Sequence, residues 1–131
     1  MAIRSTEQDM TDIQTFLREF NEYWVREDTQ AILDNVTDDI HFGMVGGKTV
    51  SGMSDFKTFL EGMGEGATDM KLDIANVIVD GDRAAVDGEI AMTDKDGRRR
   101  VYAFCDVYRL AGGKVAELTA YVQEINGESK D

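Results

Sequence analysis

Residues 102–126 read YAFCDVYRLAGGKVAELTAYVQEIN. Val, Tyr, Phe and Leu dominate both arms of this stretch, and Gly112-Gly113 separates them. It predicts two strands, Arg98 to Leu110 and Lys114 to Ile125, joined by a tight turn. Alternation places Tyr102, Phe104, Asp106 and Tyr108 on one face and Val101, Ala103, Cys105 and Val107 on the other. Both faces are largely apolar, so both are expected to be covered. Asp106 is then a carboxylate in mid-strand among buried neighbours, where an ionised group is costly unless paired, hydrogen-bonded or protonated. Two readings stand side by side. One is a structural acid bonded to a nearby Tyr hydroxyl or backbone N–H. The other is a functional acid in a pocket.

Upstream of the hairpin the pattern continues as strands. Met70 to Val79 turns at Asp80-Gly81-Asp82, and Arg83 to Thr93 turns at Asp94 to Gly97. Before the strands come helices. Ile13, Phe16, Leu17, Phe20 and Trp24 form an apolar stripe at helical spacing, which predicts a helix from Asp9 to Arg26. Asp28 reads as the N-cap of a short second helix that ends at Thr37-Asp38-Asp39. A strand from Ile40 to Val45 follows, with Ile40, Phe42 and Met44 on one face. Gly46-Gly47 turns it into a brief extended piece, Lys48 to Val50. A third helix is expected from Ser54 to Met63, stopped by Gly62, Gly64 and Gly66. The tail GESKD is expected to fray. Helices followed by a meander of long strands is an α+β pattern, and strands apolar on both faces suggest a strongly curved antiparallel sheet.

The chain has 131 residues, enough for one domain with a real core, and the expected domain is residues 1–131 with its core at about 9–126. No run approaches the roughly 18 apolar residues a membrane span needs, and MAIRSTEQDM lacks the apolar run of a signal peptide. A net charge of −12 argues against nucleic acid and anionic membranes as partners, since both share its sign. The lone cysteine, Cys105, cannot form an intrachain disulfide, which suits a reducing cytoplasm. The lone histidine, His41, excludes multi-histidine metal sites. No metal and no cofactor is expected.

From about residue 10 to 126 the chain resembles the cone-shaped α+β barrels of the nuclear-transport-factor-2-like superfamily, within it the SnoaL-like cyclase and ketosteroid isomerase branch. The resemblance rests on EDTQAILDNVTDDIHF at residues 27–42, Gly52 before the third helix, and DVYRLAGGKVAELTAYVQEIN at 106–126. It implies a cystatin-like fold: a curved antiparallel sheet wrapped around three helices, a homodimer through the sheet's outer face, and a small apolar cavity. It also implies a neutral aspartate that stabilises an enolate oxygen, which falls on Asp106. The partner tyrosine of the isomerases falls on Phe20 and their proton-shuttling aspartate on Met44. Phenylalanine donates no hydrogen bond and methionine accepts no proton, so steroid isomerisation by that mechanism is not expected. The last strand has Tyr121-Val122-Gln123 where many relatives carry an acid. The epoxide-hydrolase-like relatives need an arginine between two aspartates. Arg100 shares Asp106's parity here, but strand geometry puts it about 20 Å away.

Strand parity and this family pattern together surround Asp106 with Phe42, Met44, Met92, Tyr102, Phe104, Leu118, Ala120 and Val122. Val86, Gly88 and Ile90 fall on the same face, Phe20 and Trp24 cover it from the first helix, and Asn76 is a second polar handle. A plain filled core is the competing reading of these residues. His41 has the opposite parity and reads as a surface or interface residue, with catalysis as the alternative. Asp38 and Asp39 read as turn residues rather than a metal pair. Arg98-Arg99-Arg100 reads as a solvated guard against edge pairing, and Cys105 as a small buried hydrophobe. Two function classes follow. One is an isomerase or cyclase acting on a small hydrophobic carbonyl compound, with Asp106 as its acid. The other is a non-catalytic module that binds an apolar ligand or a partner.

Overall fold

The computed structural model describes residues 6–63 and 66–125, with side chains from residue 10 onward. The expectations for Gly64 and for the GESKD tail lie outside these residues. Helix α1 (Thr6–Val25) forms on the predicted stripe, and Leu17 and Phe20 are fully buried along it. Asp28 caps α2 (Thr29–Asp34): its carboxylate accepts the Ala31 N–H at 3.1 Å. The remaining elements are β1 (Val36–Met44), β2 (Thr49–Ser51), α3 (Met53–Glu61), β3 (Thr68–Asp80), β4 (Arg83–Thr93), β5 (Arg99–Ala111) and β6 (Lys114–Ile125).

The sheet order is β2-β1-β6-β5-β4-β3. Every neighbouring pair is antiparallel except β1 with β6, which run parallel, so the sheet expected to be antiparallel is mixed. A parallel pair needs a long crossover, and everything from β2 to β5 lies between these two strands. The sheet curves over the helices and stays open, with β2 and β3 at its edges. The hairpin at Gly112-Gly113 has positive φ at both residues, 58° and 80°, the backbone that matches the twist of its strands.

Two expectations are corrected by this topology. Thr37-Asp38-Asp39 belongs to β1 and does not end a helix. Val36 and Ile40 are both buried, and the Asn35 carbonyl accepts the Val115 N–H at 2.9 Å, so the chain is pinned to β6 directly after α2. The arginine run guards no edge, because β5 lies inside the sheet between β4 and β6. Arg99 instead pairs with Asp69 at 3.3 Å, and Arg100 bridges Asp94 at 2.6 Å and Glu124 at 2.8 Å.

The core fills the space between α1, α3 and the sheet. Phe20 meets Trp24 and Tyr108 edge to face, each at 6.2 Å. Trp24 stacks on Phe42 at 5.9 Å, and Phe42 meets Phe56 and Phe59 at 5.8 and 5.0 Å. Ring pairs at these separations add to the area they bury, so they fix the angle at which α1 crosses the sheet.

A β-bulge interrupts the β3–β4 ladder. Ile74 pairs with Gly88, yet Asn76 pairs with Asp87, which leaves Ala75 as the extra residue. The alternation therefore flips. Leu72 and Ile74 face inward before the bulge. After it, Val77 and Val79 pack on the core while Ile78 is 62% exposed. Gly88 makes this possible, because a Cβ there would overlap the Asp73 carbonyl oxygen and lie 2.9 Å from Ile74 Cα.

Candidate functional site

Beside this core lies a cavity of ≈ 300 Å³. Strand alternation builds most of its wall: Tyr102, Phe104 and Asp106 from β5, Ile90 and Met92 from β4, and Leu118, Ala120 and Val122 from β6. Met70 and Leu72 of β3, Phe42 and Met44 of β1, and Met63 after α3 complete the strand side. Helix α1 covers it with Asn21, Trp24 and Val25. The lining is overwhelmingly apolar, and four of its side chains are methionines, which adapt to irregular ligand shapes.

Asp106 thus shares one cavity with Trp24, Phe42, Met44, Met92, Tyr102, Phe104, Leu118 and Val122. Two expected lining residues do not reach it. Phe20 is fully exposure-free and lies beneath the cavity, wedged between Trp24 and Tyr108. Asn76 sits beyond the bulge, so its parity is reversed, and its amide donates to Asp87 Oδ1 at 3.0 Å on the far side of the sheet. His41 is exposed on that same far side, with Nδ1 2.7 Å from Ser51 Oγ.

Asn21 was missed by the sequence reading, although a signal was there. It stands four residues after Leu17 in the buried stripe, where a polar side chain needs a partner. Its Nδ2 donates to the Leu17 carbonyl at 2.8 Å and to the Tyr108 hydroxyl at 3.0 Å. Tyr108, on the same face of β5 as Asp106, donates in turn to Asp106 Oδ2 at 3.5 Å. The phenol beside the carboxyl therefore comes from β5, while Phe20 stands on the helix. Val25, Met63 and Met70 carried no comparable signal.

Burial sets the electrostatics. It pushes the Asp106 carboxyl up to about 7, and the long Tyr108 hydrogen bond offsets only part of that. The carboxyl keeps access to the cavity while protein encloses the rest of it, so a bound molecule could reach it. Burial first, then the Asp106 charge, raises the Tyr108 phenol well above its usual range, so it stays a donor. Desolvation likewise raises the Cys105 thiol. Elsewhere Asp94 is lowered to about 2, chiefly by its hydrogen bond from Arg100. Among the described residues no cluster of three or more His, Cys, Asp or Glu side chains is arranged to hold a metal. Nor is any described helix long and apolar enough to cross a membrane.

Residues 17–118 match the model of the SnoaL-like domain. The chain belongs to the SnoaL-like family. No curated protein matches it in sequence. Among solved structures it is similar to a candidate polyketide cyclase from Xanthomonas campestris. That match has TM-score 0.75 and 21% identity, and covers 89% of this chain and 92% of the other. It is similar also to a nuclear-transport-factor-2-like protein of unknown function from Burkholderia pseudomallei (TM-score 0.73, 22% identity, 82% and 87% covered). A third is an LEH-like epoxide hydrolase from Mycobacterium tuberculosis (TM-score 0.70, 19% identity, 82% and 79% covered). At these identities the likeness establishes a shared α+β cone fold. For this SnoaL-like chain the chemistry rests on its own cavity.

Proposed function

We propose that this SnoaL-like protein binds a small hydrophobic carbonyl compound and acts on it as an isomerase or cyclase, with Asp106 as a neutral acid. The observation that carries the reading is one carboxyl lining an apolar cavity, where desolvation pushes it up to about 7, so the protonated form persists far above the usual carboxylate range. A neutral acid there donates a hydrogen bond to a carbonyl oxygen and stabilises the negative charge that grows on it during enolisation. No cofactor is part of the reading. A second reading is ligand binding without turnover. It is favoured by Met44, which lines the cavity where a base would be needed and accepts no proton.

The test is a thermal-shift screen of apolar phenols, steroids and aromatic polyketides on wild type and Asp106→Leu in parallel. A compound that stabilises wild type and loses its effect in the variant supports a polar-tipped site. Turnover is then read by NMR as deuterium uptake at the carbon next to the ligand's carbonyl. Uptake favours the enzyme, and binding without uptake favours the second reading. Equal shifts in both proteins would remove Asp106 from the function.

A homodimer through the outer face of the sheet belongs to the same proposal. There β5 presents Val101, Ala103, Cys105 and Val107 beside Ile125 and Tyr121 of β6. Val107, Ile125 and Tyr121 are 37%, 37% and 49% exposed, an apolar strip of the kind a second copy covers. Sedimentation at tens of micromolar should give a dimer, and a monomer would end this part of the proposal. A cytoplasmic setting is supported by the single free thiol.

A further inference from the structure

The polar tip of the cavity has an internal direction. Asn21 is only 7% exposed and lines the cavity. Its Nδ2 donates to the Leu17 carbonyl, which can only accept, so the amide is oriented with nitrogen towards the helix and Tyr108. Its Oδ1 meets no donor among the described residues, and no buried side-chain nitrogen or oxygen there lacks a partner. That oxygen is therefore open to the cavity. On the other side, Tyr108 accepts from Asn21 and so turns its own hydrogen towards Asp106 Oδ2. The carboxyl proton then resides on Oδ1, the oxygen with no protein partner among the described residues. The tip offers a donor, Asp106 Oδ1–H, and an acceptor, Asn21 Oδ1, on either side of one phenol. A ligand with a bare carbonyl satisfies the first and leaves the second dry, which costs binding.

We propose that Asn21 is a specificity-determining residue and that the ligand carries a hydrogen-bond donor beside its carbonyl, such as an enol hydroxyl or a lactam N–H. The proposal rests on Asp106 acting as a neutral acid, and its test separates the two. Three probes of similar size are titrated by fluorescence at pH 6: 2-quinolinone, with N–H and C=O; coumarin, with C=O alone; and naphthalene, with neither. Wild type should bind 2-quinolinone about tenfold more tightly than coumarin, and coumarin more tightly than naphthalene. In Asn21→Leu the first ratio should fall to about one while the second persists, which also cancels differences in probe hydration. Equal binding of 2-quinolinone and coumarin by wild type would overturn the Asn21 proposal. A surviving gap between coumarin and naphthalene would then leave the Asp106 reading standing. Equal binding of all three, or none by any, would overturn both. Asn21→Ala is the second variant if Asn21→Leu does not fold, and the wild-type ratio is decisive without either.

Discussion

Asp106→Asn will stabilise the protein at pH 8.5 by about 4 kcal/mol and leave it nearly unchanged at pH 4. Burial raises the folded carboxyl from 3.8 to about 7. Between those values the folded state holds a proton that the unfolded chain has lost, so stability falls as pH rises. The contribution is complete below pH 3.8, fades through pH 7, and above that the native state carries a buried charge. Asparagine is the same size, still accepts the Tyr108 hydrogen bond, and never ionises. Arg100 and Arg109 lower the carboxyls of Asp94 and Glu117, which gives the opposite pH trend. Those ion pairs exist in both proteins, so they cancel in the difference. Urea unfolding of both proteins at the two pH values measures it. A difference that does not change with pH would mean that Asp106 titrates normally and is not held neutral. On the proposed function, this cost is the pattern expected where stability is traded for chemistry.

Gly88→Ala should cost about 3 kcal/mol, although it adds one methyl group. The new Cβ would overlap the Asp73 carbonyl and crowd Ile74 Cα, both of them backbone atoms that cannot rotate away. Relief requires undoing the bulge at Ala75. Without the bulge, residues 76–80 would reverse their faces: Val77 and Val79 would leave the core, and Asn76 and Ile78 would enter it. The hydrogen bond from Gln14 Nε2 to the Val77 carbonyl, 3.2 Å, ties α1 to this part of β3 and would be lost as well. Urea midpoints of wild type and variant give the loss. A change under about 0.5 kcal/mol would show that β3 slides at little cost and that the bulge is not held by Gly88.

Much of the fold was legible because periodicity is local. The stripe from Ile13 to Trp24, the alternation of Arg83 to Thr93 and the turn at Gly112-Gly113 each lie within a few residues of one another. The strand limits of β4 and β6 follow directly from turn chemistry. The cavity wall was legible for the same reason, wherever alternation runs unbroken, as it does from Tyr102 to Asp106. It failed at Asn76, where one extra residue reverses a strand's faces without leaving a mark in composition. It failed at Phe20, where a residue on the right stripe lies too deep to line the space. Asn21 carried a signal, a polar residue in a buried stripe, but its partner lies 87 residues away.

The sequence by itself determined the helices, nearly every strand, the placement of one carboxyl on an inward face and the absence of an obvious base at Met44. These follow from the spacing of apolar residues and from what each side chain can donate or accept. Only the tertiary structure decided the parallel pairing of β1 with β6, the flip of β3, and the line of hydrogen bonds from Asn21 through Tyr108 to Asp106. Each of these joins groups far apart in the chain, and the free energy that selects them, burial and hydrogen bonding across elements, does not exist until the elements meet.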